Sequence, residues 1–253
     1  MNYNQKLFSI ITVVKNDVKN IEKTIKSILN QKKDSNIEYI IIDGNSSDGT
    51  KEIIHKYKNM VDKIISEKDN GIYDAMNKGL IVAKGEYLSF CNSGDILFPN
   101  AINIIQKTFE KNNSDVVFGV VKRNYVGKTI IKSNLNIKRI YYNFDFATSH
   151  TTGFYIKKKV HDEIGFYDLN FKCSADYDFF YRMINSNRYK ISLSPIEKII
   201  GEVASGGFSS KFSFIDHLHE ETKIRLKNKQ NIILIIFIYI NSVLKNLNKI
   251  FKI

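Results

Sequence analysis

The sequence carries only two cysteines in 253 residues, Cys91 and Cys173. They show neither C-x-x-C spacing nor a partner-rich pattern, which argues against zinc ribbons and disulfide frameworks and makes a reducing compartment the default. No apolar stretch reaches membrane-spanning length: Ile232 to Ile240 is nine residues, against the ~20 that a spanning helix needs. No secretory leader is expected either, because Met1–Lys6 is polar and the apolar segment after it is only strand length before Lys15. The chain also has no internal repeat, no low-complexity linker, no G-x-x-x-x-G-K-[ST] loop and no helix-turn-helix signature. Its aromatics do not alternate with Lys/Arg as stacking platforms would, so nucleic acid is not an expected partner.

What is present is the composition of a soluble domain with a substantial core, 43% apolar and 25% charged, so one large domain with an appendage is expected. The net charge is +12, which by itself suits an anionic membrane, a nucleic acid or a phosphorylated substrate. Much of the excess is local. From Lys223 to Ile253 there are seven Lys/Arg and no acid, interleaved with the apolar run. Residues 211–253 are therefore expected to form a basic amphipathic tail in the headgroup boundary of an anionic membrane, placing the protein in the cytoplasm, peripheral at the inner face. Docking of that tail on the protein's own core or on a second copy is the competing reading. Nothing in the sequence specifies an oligomeric state.

Hydrophobic periodicity predicts alternating strands and helices. Leu7–Val14 suits a buried parallel strand, and Val18, Ile21, Ile25 and Ile28 follow at helical spacing. Ile37–Ile42 repeats the strand, Ser46–Thr50 supplies turn and cap chemistry, and Ile53, Ile54 and Tyr57 resume a helix. A short strand at Ile64–Ile65, a helix from Ile72 to Ala83, a strand at Tyr87–Phe90 and a helix after Pro99 complete an α/β, mostly parallel half. Beyond Asp115 the rhythm changes. Strands are expected at Val116–Val121, Thr129–Ile131, Phe154–Ile156, Tyr189–Leu193 and Ile196–Val203, a helix at Ala175–Ile184, and an irregular, acceptor-shaping stretch from Lys132 to His150.

Asp43, Asp69 and Asp95 each follow closely on one of the apolar runs. In an open α/β sheet the carboxyl ends of strands converge on the ligand crevice. A single Asp there is commonly a turn or cap residue; three in register point to a nucleotide-sugar site. Asp69, Asn70 and Gly71 open the third helix, whose N–H groups favour phosphate. Asp74 and Asn77 lie three apart on the face away from Ile72, Met76 and Ala83, where they line a donor cleft or merely meet solvent. Asp216-His-Leu-His219 is not expected to bind metal, because helical residues two apart face different sides.

Five blocks in order carry a family pattern: Phe8-Ser-Ile-Ile-Thr-Val-Val14, Ile42-Asp-Gly-Asn-Ser-Ser-Asp-Gly-Thr50, Asp69-Asn-Gly-Ile-Tyr-Asp-Ala-Met-Asn-Lys-Gly79, Asn92-Ser-Gly-Asp95 and Ser174-Ala-Asp-Tyr-Asp178. Over residues 7 to 210 the chain resembles a family 2 glycosyltransferase of the GT-A, Rossmann-like fold, near bacterial enzymes of capsule, exopolysaccharide and lipopolysaccharide synthesis. The resemblance implies a nucleotide-sugar half, 1–95, and an acceptor half, 96–210. It implies inverting transfer of a hexose or N-acetylhexosamine from a nucleoside-diphosphate sugar, usually UDP, to a hydroxyl of a lipid-linked or nascent glycan, aided by Mn2+ or Mg2+.

By the same resemblance, Asp43 contacts the base, the backbone around Thr12 and Val14 lines its pocket, and Asn92, Ser93 and Gly94 border the donor, with Asp95 on the metal. The family motif is usually richer in Asp, and here Gly94 and Ala175 stand where acidic residues are common. Inversion needs a general base on the acceptor hydroxyl. Asp176 shares a helical stripe with Phe179, Phe180 and Met183 and is expected to point inward as that base, whereas Asp178, four residues before Arg182, reads as an exposed ion pair. His150 matches a family histidine near acceptor or diphosphate, and Gly206-Gly-Phe-Ser209 resembles a loop able to close over the donor. The rival classes are a sugar nucleotidyltransferase, whose Gly-rich basic loop is replaced here by Thr12-Val-Val-Lys-Asn16, and a degenerate membrane-associated nucleotide-binding protein.

Overall fold

In the computed structural model, residues 7–125, 128–133, 135–143 and 151–247 are described. Among them the chain runs β1 (Phe8–Val14), α1 (Ile21–Gln31), β2 (Ile37–Asp43), α2 (Thr50–Lys56), β3 (Lys63–Ser66), α3 (Ile72–Val82), β4 (Tyr87–Phe90), β5 (Ile96–Leu97) and α4 (Ala101–Asn112). The second half comprises β6 (Val116–Phe118), β7 (Val121–Tyr125), β8 (Lys128–Lys132), α5 (Ile137–Asn143), β9 (Phe154–Lys157), α6 (Lys158–Ile164), α7 (Ala175–Asn185), β10 (Ile191–Leu193), β11 (Gly201–Val203), α8 (Phe214–Lys227) and α9 (Ile232–Lys245).

A seven-stranded sheet has the order β10-β6-β9-β4-β1-β2-β3. Strand β1 pairs in parallel with β2 and β4, β2 with β3, and β10 with β6, while β9 runs antiparallel between β4 and β6. The two-residue period of a strand sorts the central side chains onto two faces. Ile11, Val13, Ile40 and Ile42 pack with Tyr73, Met76 and Leu80 of α3 and Phe179 of α7. Phe8, Ile10, Tyr39 and Ile41 pack with Ile21, Ile25 and Ile28 of α1 and Ile105 and Phe109 of α4. Covered on both faces, β1 is buried throughout, as a continuous apolar strand requires.

Several expectations are corrected in the second half. Val116–Val121 is not one strand: β6 stays in the large sheet, and β7 opens a four-stranded sheet of order β5-β11-β7-β8. The chain breaks at Gly119, where any Cβ would run into the Ile200 side chain. The stretch after Lys132 contains α5, and α6 follows β9 directly. Of Ile196–Val203 only Gly201–Val203 is strand, because Lys198 N–H closes a turn on the Pro195 carbonyl.

The segment from residue 211 is not a free tail. A capping box between Ser213 and Asp216 starts α8, and Leu218, Ile224 and Arg225 are buried. The Arg225 guanidinium donates to the carbonyls of Tyr141 (3.2 Å) and Tyr142 (2.8 Å). Lys227 reaches Asp178 at 3.0 Å and Asp168 at 2.7 Å, so two of the tail's basic groups are committed within the protein. Helix α9, capped by Asn231, buries Ile235 and exposes Ile232, Ile233, Ile236, Phe237, Ile240 and Leu244 along one side. Among the described residues no helix is long and apolar enough to cross a membrane. A chain ending at residue 230 is expected to keep a cooperative urea transition, whereas one ending at 211 loses it or unfolds at markedly lower denaturant, because removing α8 strips the cover from α5 and α7.

Candidate functional site

The carboxyl ends of β1, β2 and β3 meet in a way that ties their loops together. Gly44, just past β2, donates its N–H to the Val14 carbonyl at 2.9 Å. A Cβ on Gly44 would collide with the Asp69 carboxylate, so Asp69 after β3 lies directly over the end of β2. Lys15 approaches Asp69 at 3.9 Å from the end of β1. Thus Val14, Asp43 and Asp69 are brought together as the strand-end rule requires.

How they are used differs in part from expectation. Asp43 is fully buried, accepting from Ser66 Oγ at 2.6 Å and Ser46 N–H at 3.2 Å, so it organises the turn beneath any base pocket and offers no exposed oxygen. The Thr12 hydroxyl bonds the Cys91 carbonyl at 2.7 Å and lies 3.1 Å from Tyr39 Oη, bracing β1 on its neighbours. At the start of α3, Asp69 accepts Gly71 N–H at 3.1 Å and Asp74 accepts Asn70 N–H at 2.9 Å. Two carboxylates therefore cap N–H groups expected to favour phosphate. Lys78 is paired with Glu67 at 2.9 Å. Asn77 does not face a cleft: its amide donates to the Tyr167 carbonyl at 2.9 Å and accepts the Tyr167 N–H at 3.0 Å.

The Asn92–Asp95 turn follows β4. Gly94 has φ +97° and its missing Cβ would sit 3.2 Å from Ala204 Cβ, so the backbone disfavours the acidic residue common at that place. Asp95, expected on the metal, is buried among protein donors. Its Oδ2 accepts from Thr151 (2.9 Å) and Thr152 (2.8 Å), and its Oδ1 from Ala204 N–H (3.0 Å). Three protein donors fill most of its acceptor capacity, and burial pushes its pKa up against those hydrogen bonds. Ser93 donates to Asp17 at 2.7 Å, whereas the Asn92 side-chain oxygen is buried without a partner. Among the described residues no three His, Cys, Asp or Glu form a metal-holding group. The unpartnered Asn92 side-chain oxygen is a neutral oxygen of the kind a hard cation accepts together with waters or substrate oxygens. His150 lies outside the described residues.

On α7 the two carboxylates exchange the environments predicted for them. Asp178 is fully buried and held by Arg182 at 2.9 Å, by Lys227 and by Asn228 at 3.1 Å. Asp176 is half-buried and accepts from Tyr73 Oη at 2.8 Å. Tyr73 stands two residues past Gly71, so the helix that begins beside Asp69 also touches Asp176. His217 hydrogen-bonds the Ser209 carbonyl and Asp216 serves the α8 cap. Sequence reasoning missed Asp17, Tyr73, Thr151, Thr152 and Tyr167. Asp17-x-x-Asn20 at a strand-to-helix junction was the one local signal; the others are partners supplied by distant elements.

A model of the glycosyl transferase family 2 matches residues 9–174. An uncharacterized glycosyltransferase of Mycobacterium tuberculosis is 29% identical over 177 residues, 69% of this chain and 67% of that protein. The poly(ribitol-phosphate) beta-N-acetylglucosaminyltransferase TarP of Staphylococcus aureus is 33% identical over 132 residues, 51% of this chain but 40% of TarP. Among solved structures, S. aureus TarS 1-349 in complex with UDP-GlcNAc superposes with a TM-score of 0.71 at 19% identity, covering 94% of this chain and 72% of that one. A mannosyltransferase of Pyrobaculum calidifontis in complex with GDP-Man and Mn2+ gives 0.65 at 15% identity, covering 96% and 70%. The chain belongs to glycosyl transferase family 2, and its α/β sheet flanked by helices is the GT-A fold of these neighbours.

Glu221 of α8 is half-buried, and desolvation raises its pKa to about 7 despite the charge of Arg225. The folded protein thus holds this proton more tightly than the unfolded chain does. The associated stability is complete below the ordinary glutamate range and drains away as pH rises to about 7. Glu221→Gln is expected to raise the melting temperature by a few degrees at pH 8 relative to the parent and to change it little at pH 4.5, read by differential scanning fluorimetry.

Proposed function

We propose that this glycosyltransferase moves a hexose or N-acetylhexosamine from a nucleoside-diphosphate sugar, with UDP as the nucleotide, to a hydroxyl of a lipid-linked or nascent surface glycan, inverting the anomeric centre. One observation carries the reading: the ends of β1, β2 and β3 converge on Asp69, and the helix beginning there reaches Asp176 through Tyr73. This sets the donor-side loops and a carboxylate on the two sides of one helix. The UDP-GlcNAc bound by TarS and the N-acetylglucosaminyl transfer in TarP's name support the choice of donor class.

In this reading Asp43, with Ser46 and Ser66, shapes the floor of the base pocket, and the backbone at Val14 forms its wall. Asp69, Asn70 and Gly71 border the diphosphate, and Asp74 fixes the first turn of α3. A Mn2+ or Mg2+ ion, held by Asn92 and the substrate's own phosphates, would supply charge neutralisation for the departing nucleotide. Ser93 and Gly94 hold the turn, and Asp95 anchors it. Asp176 takes the proton from the acceptor hydroxyl as that oxygen attacks the anomeric carbon opposite the diphosphate. Thermal unfolding with UDP-, GDP- and dTDP-sugars, with and without Mn2+, is expected to show stabilisation by a UDP-sugar, since a ligand of the native state raises its stability. Asp176→Asn should retain that shift and lose transfer. Absence of any shift with all nucleotide sugars rejects the reading.

The exposed apolar side of α9, with Lys229 and Lys245 at its two ends, supports a peripheral seat on an anionic membrane at the cytoplasmic face. Removing residues 231–253 is expected to abolish co-sedimentation with vesicles containing anionic lipid while leaving nucleotide-sugar binding intact. Equal sedimentation of the two forms counts against the membrane seat.

A further inference from the structure

We infer that Tyr73 is a positioning residue for Asp176, holding the carboxylate at the place where the acceptor proton is removed, and that Asn77 and Tyr167 hold Tyr73 in turn. The inference rests on the reading of Asp176 as the general base. Its geometry does not: Tyr73 Oη donates to Asp176 Oδ1 at 2.8 Å across 103 positions of sequence. Tyr73 itself is only 6% exposed. Its ring leans on that of Tyr167 at 5.7 Å between centroids, and the Tyr167 backbone is clamped on both its N–H and its carbonyl by Asn77.

Tyr73 and Asn77 are four apart on α3, so one helix both places the phenol and secures the ring behind it. The same helix begins at the donor-side segment Asp69–Gly71. Burial, followed by the charge of Asp176, raises the phenol's pKa, which keeps it protonated and therefore a donor throughout the working range. Tyr167, Tyr177 and Cys173 also sense the Asp176 charge, each neutral below its own raised pKa. Tyr73 supplies a phenolic donor to this carboxylate.

A hydrogen bond to an ionised carboxylate favours the charged form, so its removal raises the carboxylate's pKa. In Tyr73→Phe this donor to Asp176 is lost from the full chain while the ring is kept. Hydrolysis of UDP-N-acetylglucosamine, in which water takes the sugar in place of the acceptor hydroxyl and UDP leaves, should fall by ~10-fold or more in kcat, with little change in KM and with the acid limb of the profile displaced upward. Because Phe could loosen the core, 3-fluorotyrosine at position 73 serves as a shape-preserving second variant. Its more acidic phenol should move the acid limb down. Unmoved acid limbs in both variants, with Asp176→Asn inactive, overturn the positioning role alone. Full activity of Asp176→Asn, or no UDP release by the parent, overturns the underlying base assignment and this inference with it.

Discussion

A single buried carboxylate joins the parts of this molecule that its sequence keeps far apart. Asp95 receives hydroxyls from Thr151 and Thr152 just before β9 of the large sheet, and an N–H from Ala204 just after β11 of the small one. Its own carbonyl accepts the Thr24 hydroxyl of α1 at 2.7 Å. Removing a charged acceptor from water costs several kcal/mol unless its lone pairs are filled; here three donors offset that cost. Those three donors leave about one of its roughly four acceptor sites for a further partner. The position of the Asn92–Ser93 turn, and hence of the unpartnered Asn92 oxygen, follows from this anchor.

Around the anchor the fold separates two tasks. The ends of β1, β2 and β3 form a rigid rim in which side chains mostly satisfy one another: Asp43 with Ser46 and Ser66, Asp69 with Gly71 and Lys15. Helix α7 on the other side presents one carboxylate locked in a buried ion-pair network, Asp178, and one less enclosed, Asp176. Such a division leaves the structural charge fixed and the half-buried one open to a ligand, as the proposed transfer requires. Helix α8 belongs to the same construction, since it supplies Lys227 to Asp178 and buries Arg225 beneath α5.

The first half of the fold was readable because each element there obeys a local rule. The strand Ile37–Asp43 and helix Ile72–Val82 lie within a residue of their expected bounds, as apolar period and strand-end chemistry dictate. The second half was read less well for a specific reason. Val116–Val121 has uniform strand character, yet neighbours in two sheets divide it at Gly119, and periodicity carries no information about Ile200 lying opposite. The tail misled similarly: Arg225 and Lys227 count as charge in composition, but tertiary partners consume them.

By itself the sequence determined the family, the parallel α/β core and the set of acidic positions, because motif order, hydrophobic period and strand-end placement are local properties of the chain. Only the tertiary structure decided which acid does what. Asp95 became an anchor, Asn77 a clamp on Tyr167, and Asp176 rather than Asp178 the less enclosed carboxylate. The physical reason is that a carboxylate's role depends on how many donors reach it and how much water remains, and those donors come from residues dozens of positions away.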